Sequence, residues 1–344
     1  MKVECGEMKE EIEFVMKELE SAKPGQLPLG ELYSLSDLGR EDSERFWQRW
    51  LRIPAERRRS IVRLMVEMAE DHFELYFSPL FRKMLKDPDP EVRKLAVEGL
   101  WEDEDPGLIR PFIRLLQTDE SESVRAAAAI SLGKYIYLRE IEELDPGRGN
   151  LVEEALLACI RSGGESTEVR RRAVEAISYA CSAEVESIIE EAYYAPEWEM
   201  KVSAVFSMGR NSSPRWEEYV LRELYSPSPE LRYEAAIASG EMELRSAVDR
   251  LMELALDSSD SEVRDAAIWA LGKIPVARIG RFLASLLESD NEDVRDAASD
   301  AISDHSLTMM IESAAPEEDL IDEEPAEFED DWDDISTWDW SGAF

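Results

Sequence analysis

The sequence predicts an all-α fold: a right-handed α-solenoid, or superhelix, of stacked helix pairs, followed by a disordered acidic C-terminal tail. The first observation is a short phrase, with an acidic or polar residue, an apolar anchor and a basic residue, that recurs through most of the chain. The second is the set of helix-capping signals around each copy, and the third is an abrupt change of composition near the C terminus. A fixed period of this kind is the signature of a repeat array.

The recurring phrase has seven copies. Their anchors are 31 or 32 residues apart, except for one interval of 45 residues. The longer interval equals one period plus an insertion near 137–150, where the run Asp145-Pro-Gly-Arg-Gly predicts a loop. The anchors are Val92, Val124, Val169, Met200, Leu231, Val263 and Val294.

Each anchor lies at the start of a predicted helix. Six of the seven residues that stand three positions before the anchor are good N-caps, and the exception is Glu197. Alanine stands four positions after every anchor, and in four copies a glycine stands nine positions after it, where we expect the helix to end. An amphipathic segment precedes each of these helices. The unit is therefore helix A, a turn and a capped helix B, and such short helices need to pack on their neighbours.

The phrase Asp87-Pro-Asp-Pro-Glu-Val-Arg-Lys-Leu-Ala-Val-Glu-Gly-Leu resembles a HEAT repeat, of the short type found in phycobilisome-lyase-like proteins. Pro111 within a helix A and the arginine after the anchor also fit this resemblance, which covers about residues 75–303. The resemblance implies that the B helices line a concave surface. It also implies that the arginine bonds acids or carbonyls of an adjacent repeat, although a basic ladder for phosphate or an acidic peptide is the alternative. It indicates a fold and little about activity.

The predicted organisation has four parts. Residues 1–42 form an N-terminal helix at 8–20 and a linker, and residues 43–74 form a degenerate capping helix pair. Residues 75–305 hold the seven repeats with the insertion near 137–150. Residues 306–344 form the acidic aromatic tail.

The charge of the chain restricts its partners. It has 39 basic and 77 acidic residues, a formal net charge of −38. This charge repels nucleic acid and anionic membranes and favours a basic protein or peptide. Three cysteines, an acidic start and no apolar run of about 18 residues predict a cytoplasmic protein without membrane segments.

Two binding elements are hypothesised. In three consecutive repeats, the fourth to the sixth, the position six after the anchor, expected to be polar, is apolar instead, and the residue one turn earlier on the same face is apolar in two of them. This stripe would hold a peptide or helix on the concave face, and ordinary packing between repeats is the alternative. The stripe consists of Val202, Phe206, Tyr233, Ile237 and Trp269.

The second element is the tail, which has no Lys or Arg after Arg295 and alternates acids with aromatics. It would be a linear motif for a basic, grooved partner or a lid on this chain, with a purely solvating tail as the alternative. Its aromatic residues are Phe328, Trp332, Trp338, Trp340 and Phe344. A basic patch offers a head-to-tail contact within or between molecules, although a solvated helix face is the alternative. The patch consists of Arg45, Arg49, Arg52, Arg57, Arg58, Arg59 and Arg63.

These observations predict a non-enzymatic scaffold or adaptor that binds a basic protein, without a metal or other cofactor. His72 and His305 are the only histidines, and neither a glycine-rich phosphate loop nor a nucleophile elbow is present. The several His-Glu pairs of HEAT-like deoxyhypusine hydroxylases and the basic groove of HEAT-like DNA glycosylases are missing. The alternative is a phycobilin-lyase-like or other small-molecule enzyme, whose site would use ordinary acids and aromatics.

Overall fold

The structure is a computed structural model that describes residues 13–20, 29–256 and 259–314. These residues form helices and turns without a β-strand, and the predicted all-α solenoid is confirmed. Residues 13–20 are helical (α1), and a short helix α2 (Leu29–Tyr33) follows. In the described part of the chain, no helix has the length and apolar character needed to cross a membrane.

The remaining helices form eight successive pairs. The A helices are α3 (Arg40–Trp50), α5 (Ser78–Met84), α7 (Ile109–Thr118), α9 (Pro146–Ile160), α11 (Ala183–Tyr193), α13 (Glu217–Glu223), α15 (Val248–Leu256) and α17 (Ala277–Leu286). The B helices are α4 (Ala55–Asp71), α6 (Pro90–Glu98), α8 (Glu122–Glu140), α10 (Thr167–Ile177), α12 (Trp198–Asn211), α14 (Pro229–Glu241), α16 (Ser261–Lys273) and α18 (Glu292–Ala314). We number repeats 1 to 7 from the pair α5 and α6.

The B helices form the inner layer of the array. Each one contacts the next from α4 to α18, and from α5 onward each A helix packs on the B helix of its own repeat. Among the described A helices, extensive contacts join α3 to α5 and α7 to α9. Because neighbouring B helices lie closer together than neighbouring A helices, the array curves with its B helices on the concave side. One continuous apolar core runs between the two layers.

Capping residues start most B helices where the sequence places them. Ser121 is an exception because its hydroxyl lies against that of Ser123, and Glu197 makes no capping bond. The other five residues accept a hydrogen bond from a backbone N–H of the first turn, at 3.0 to 3.4 Å. They are Asp89, Ser166, Ser228, Asp260 and Asn291.

The four glycines nine positions after an anchor serve a different purpose from the one that the sequence suggested. They lie within the B helices and have no left-handed backbone, so they are not helix C-caps. Instead, each faces the backbone of an alanine on the next B helix, and a Cβ added to it would lie 2.8 to 3.1 Å from the alanine Cα. The pairs are Gly133 with Ala176, Gly209 with Ala238, Gly240 with Ala270 and Gly272 with Ala301.

The insertion near 137–150 is mostly helical, and the prediction of a loop is wrong. Helix α8 continues to Glu140 and α9 begins at Pro146, so only residues 141–145 connect them. The added turn of α8 buries Leu138, which keeps it helical. Asp145 then caps α9, whose first residue is a proline with no N–H to satisfy. The additional residues therefore lengthen two helices of the array.

Three further boundaries differ from the sequence analysis. Helix α3 begins at Arg40, three residues before the predicted capping pair, and α2 lies inside the predicted linker. Helix α18 continues to Ala314, so residues 306–314 belong to the solenoid and not to the tail. No glycine or proline interrupts α18, and His305 within it is buried, so the helix has no reason to end at 306.

A buried polar junction joins the N-terminal pair to repeat 1. The carboxylate of Asp87 accepts hydrogen bonds from Trp50 Nε1 at 2.7 Å and from the Arg58 guanidinium at 2.9 Å. All three side chains are buried, and Asp87 also accepts the backbone N–H of Asp89. A buried carboxylate needs such partners. This junction therefore holds α3 and α4 in place as the first helix pair of the array.

We expect Gly240→Ala to destabilise the protein by about 1–3 kcal/mol, because its methyl group would lie 2.8 Å from both Ala270 Cα and Trp269 Cζ3. This loss exceeds the helix-propensity gain of about 1 kcal/mol for replacing a glycine. Urea unfolding followed by circular dichroism measures the change. Gly164→Ala is the control, because no atom lies within 4 Å of its added Cβ. A Gly240→Ala variant as stable as the wild type would contradict the close-approach role.

We expect Glu243→Gly to stabilise the protein by about 1 kcal/mol. Glu243 follows α14 with a left-handed backbone at φ 50°, which is unfavourable for residues other than glycine. The next N–H, of Leu244, closes the helix by bonding the carbonyl of Ser239 at 2.9 Å. Thermal unfolding measures the gain, and Glu243→Gln separates the backbone effect from the loss of charge. The explanation fails if the glutamine variant gains as much as the glycine variant.

Candidate functional site

Two connected clefts form one groove on the concave side of repeats 4 to 6. They lie along the N-terminal halves of α12, α14 and α16 and have volumes of about 400 and 620 Å³. Tyr233 and Glu262 line both clefts and so join them. Trp198 lies at one end of the groove and Trp269 at the other, and both are partly exposed. We call this surface the acidic groove, for the lining described below.

The structure brings four of the five stripe residues together in the acidic groove. Val202, Tyr233, Ile237 and Trp269 line it, and Val202, Ile237 and Trp269 also pack against the hydrophobic core. Phe206 lies outside the lining, beneath the guanidinium of Arg210 at 5.2 Å from the ring centroid. The stripe therefore packs partly against the core and is partly exposed to solvent in the groove. Its use for binding stays a prediction.

The lining of the groove is strongly acidic. Six carboxylates face it against a single basic side chain, Arg171. Three of these acids stand immediately before an anchor, where the sequence analysis did not count them as part of a binding surface. A recurring acid at one position of consecutive repeats was the available signal, because repeats bring equal positions side by side. The six acids are Glu199, Glu230, Glu234, Asp260, Glu262 and Asp265.

These carboxylates also decide the sign of the groove. A helix N-terminus carries partial positive charge and would by itself attract anions. Here Asp260 accepts the N–H of Val263 at 3.1 Å, and Glu199, Glu230 and Glu262 lie in the first turns of their helices. The acids therefore satisfy the helix ends and leave a net negative surface.

The basic side chains at the edge of the groove are already paired. Arg171 and Arg172 both bond Glu168 and Glu175 along α10, at 2.6 to 3.3 Å. Ser203 of α12 donates a further hydrogen bond to Glu175 at 2.5 Å. The charges of these two arginines and two glutamates thus neutralise one another. Because Arg171 is already paired, it balances little of the negative charge of the groove acids.

Glu234 is the most perturbed acid in the groove. Burial between the helices raises its pKa to about 7, and the negative charges of Glu175 and Glu241 act in the same direction. The guanidinium groups of Arg172 and Arg210 oppose this rise. Near neutral pH, a cation that enters the groove would favour the ionised form of Glu234 and release its proton.

Most of the basic residues that follow the anchors bond acids or carbonyls of the array, which fits the structural role that the resemblance implies. Arg93 forms a bidentate ion pair with Asp119 of the next repeat, with both distances 2.8 Å. Lys201 pairs through a single contact of 2.8 Å with buried Glu223 of the next repeat, whereas Arg232 donates to carbonyls of its own turn. The Arg93 and Lys201 ion pairs therefore join the turns of adjacent repeats.

The N-terminal basic patch is also largely paired. Among its seven arginines, only Arg52 has a side chain without an ion pair or hydrogen bond to a described residue. The bonds hold α1, α3, α4 and repeat 1 together, so little of this charge remains for a tail. The partners are Glu41 and Asp42 for Arg45, Glu13 and Glu20 for Arg49, the carbonyls of Leu19 and Glu20 for Arg57, Asp87 for Arg58, Asp89 for Arg59 and Glu91 for Arg63.

The tail aromatics Phe328, Trp332, Trp338, Trp340 and Phe344 lie outside the described residues, so their role stays a prediction. The two histidines lie far apart in the array. His72 follows α4, and His305 is buried in α18. Residues 13–20, 29–256 and 259–314 contain no cluster of three or more His, Cys, Asp or Glu residues suited to a metal ion.

We expect the stability of the wild type to fall between pH 5 and pH 8 through Glu234. Its pKa of about 7 in the folded chain exceeds the usual 4.5, so this stabilisation is complete below pH 4.5 and lost as the pH rises through 7. The Glu234→Gln variant lacks this titrating group. Its free energy of unfolding, relative to that of the wild type, should therefore rise by roughly 1–3 kcal/mol from pH 5 to pH 8.

Urea unfolding at several pH values measures this difference, and Glu262→Gln controls for the loss of one charge in the same groove. A constant difference between Glu234→Gln and the wild type from pH 5 to pH 8 would contradict the burial of this carboxyl.

Several solved structures have a low similarity to this chain. The solved structure of YibA of E. coli is 17% identical, covers 79% of this chain and 95% of YibA, and has a TM-score of 0.44. Human deoxyhypusine hydroxylase, solved in complex with glycerol, is 16% identical, with coverages of 89% and 100% and a TM-score of 0.35. Importin beta is 14% identical, with coverages of 86% of this chain and 44% of importin beta and a TM-score of 0.44. No curated protein sequence matches.

A family model described as HEAT repeats matches residues 78–146 and 217–303. Both ranges coincide with successive A and B helices of the array. The narrower likeness to the phycobilisome-lyase-like type stays a prediction. Residues 78–146 and 217–303 are thus HEAT repeats, and the resemblance to the HEAT-repeat family that the recurring phrase carries is confirmed.

Proposed function

We propose that this chain is a cytoplasmic, non-enzymatic scaffold that binds a basic segment of another protein in the acidic groove. The observation that carries the proposal is the composition of the groove, in which six carboxylates and three aromatic side chains face one paired arginine. A lysine- or arginine-rich peptide supplies the complementary charge and the methylene stems that pack on aromatic faces.

The geometry of the groove suits an extended peptide. The two clefts follow one another across three repeats, so a bound chain would cross the B helices near their N-terminal ends. Trp198 and Tyr233 are 47% and 37% exposed, which leaves ring faces open to an ammonium or guanidinium group. The carboxylates Glu199, Glu230 and Glu262 recur from repeat to repeat and can contact successive cations of the peptide.

Electrostatics would also guide the partner toward the chain. A formal charge of −38 raises the encounter rate of a basic protein at low salt and excludes acidic competitors. Exposed charges more than about 8 Å apart are screened at physiological ionic strength, so the contacts within the groove must supply the specificity. The acidic aromatic tail is a second binding element in this proposal, with its own partner surface.

We expect the protein to bind a fluorescent peptide of alternating lysine and alanine and not its glutamate counterpart, with an affinity that falls as salt is added. Tyr233→Ala combined with Trp198→Ala should weaken binding about tenfold or more, because buried aromatic contacts carry much of a peptide's binding energy. Fluorescence anisotropy measures both effects.

Matched substitutions elsewhere provide the controls. Tyr225→Ala removes a tyrosine that is 67% exposed on an A-helix turn, outside the groove. Glu253→Gln removes a carboxylate of α15, whereas Glu230→Gln removes one from the groove. Equal effects of the groove and control variants would contradict the proposal. Turnover of a bilin or another small molecule, without peptide binding at low salt, would favour the enzyme alternative instead.

A further inference from the structure

A second groove, of the opposite charge, lies on the A-helix side of the N-terminal repeats. It consists of a cleft of about 500 Å³ between α3 and α5 and one of about 840 Å³ between α5 and α7. Arg82 and Lys86 line both clefts and join them. Seven basic side chains line this basic groove against four acidic ones, in a chain with twice as many acids as bases. The sequence analysis missed it because its cations come from four separate helices and the turn after α5.

Four of these cations are free among the described residues. Arg82, Lys83 and Arg93 pair with acids of the chain, as other arginines of the array do. The other four are exposed and form no ion pair with a described residue. They lie at the start of α3, just after α5 and along the outer face of α7, and they are Arg40, Lys86, Arg110 and Arg114.

Apolar side chains form the floor between these cations. Trp47 and Pro79 line the smaller cleft, and Pro111 and Leu115 line the larger one. All four are partly exposed, so they can still bury apolar area against a ligand. A groove that alternates free cations with apolar side chains is complementary to a peptide that alternates acids with aromatics.

We infer that the acidic aromatic segment 316–344 of the same chain docks in the basic groove. The segment has 13 acids, no Lys or Arg, and the five aromatic residues of the tail motif. Its charge excludes it from the acidic groove. It cannot rely on the N-terminal arginines either, because six of those seven already bond other groups of the chain.

The distance along the array permits this contact within one molecule. Glu312, in the last described turn of α18, pairs with Arg245 just before α15, so the chain leaves α18 beside an A helix of repeat 6. Repeats 1 and 7 are separated by six steps of about 10 Å each, or about 60 Å. The thirty residues from 315 to 344 can span at most about 100 Å.

Zero-length carbodiimide coupling of the full chain tests the inference, because the groove supplies lysines and the tail supplies carboxylates. We expect the tail to be coupled to Lys86 or Lys83 in the monomeric band. Since no Lys or Arg follows Arg295, trypsin releases residues 296–344 as one peptide, and chymotrypsin then separates the tail from α18. Lys273 and Asp304, 2.7 Å apart, form an internal positive control.

Charge reversal sets the specificity of the test. Arg114→Glu should lower the yield of the tail coupling at least threefold, whereas Arg281→Glu, an exposed arginine of α17, should leave it unchanged. Replacing Trp338 and Trp340 together by alanine should also lower it. Coupling that is absent, insensitive to Arg114→Glu, directed mainly to Lys94 or Lys201, or found only in a dimeric band would overturn the inference.

Discussion

The close approach of consecutive B helices is the constraint on which the rest of the structure depends. Glycine on one helix faces the backbone of an alanine on the next in four pairs along the array. The B helices therefore lie closer together than the A helices, and the array curves around them. The same approach places first-turn residues such as Glu199, Glu230 and Glu262 side by side, which turns a repeated helix-start residue into a continuous acidic surface.

The two layers of the array carry opposite local charges. The concave layer gathers acids from the starts of α12, α14 and α16, whereas the A helices of the N-terminal repeats gather exposed cations such as Lys86, Arg110 and Arg114. The formal charge of −38 does not reveal that acidic and basic side chains lie on different faces of the array, because it is the sum over all of them. An opposite charge on each layer allows a basic partner and an acidic segment to bind the same chain without competing.

Pairing decides which charged residues remain available for binding. Arg93 forms an ion pair with Asp119, and Arg58 forms one with Asp87. Each of these ion pairs joins two successive helix pairs of the array. Arg114 has no such partner among the described residues and lies exposed on the outer face of α7. A cluster of arginines in the sequence, such as the one at 57–59, can therefore be wholly structural, whereas scattered ones can form a surface.

The sequence by itself determined the helix pairs, their period and the N-caps such as Asp89, because these depend on local capping and on a strict repeat. It also placed Tyr233 and Trp269 on one face. Only the tertiary structure decided that Gly240 serves a helix contact, that residues 137–150 extend two helices, and which acids and cations share a groove. These features depend on which surfaces meet when segments that are distant in the sequence stack. The order of residues along the chain does not show which surfaces will meet.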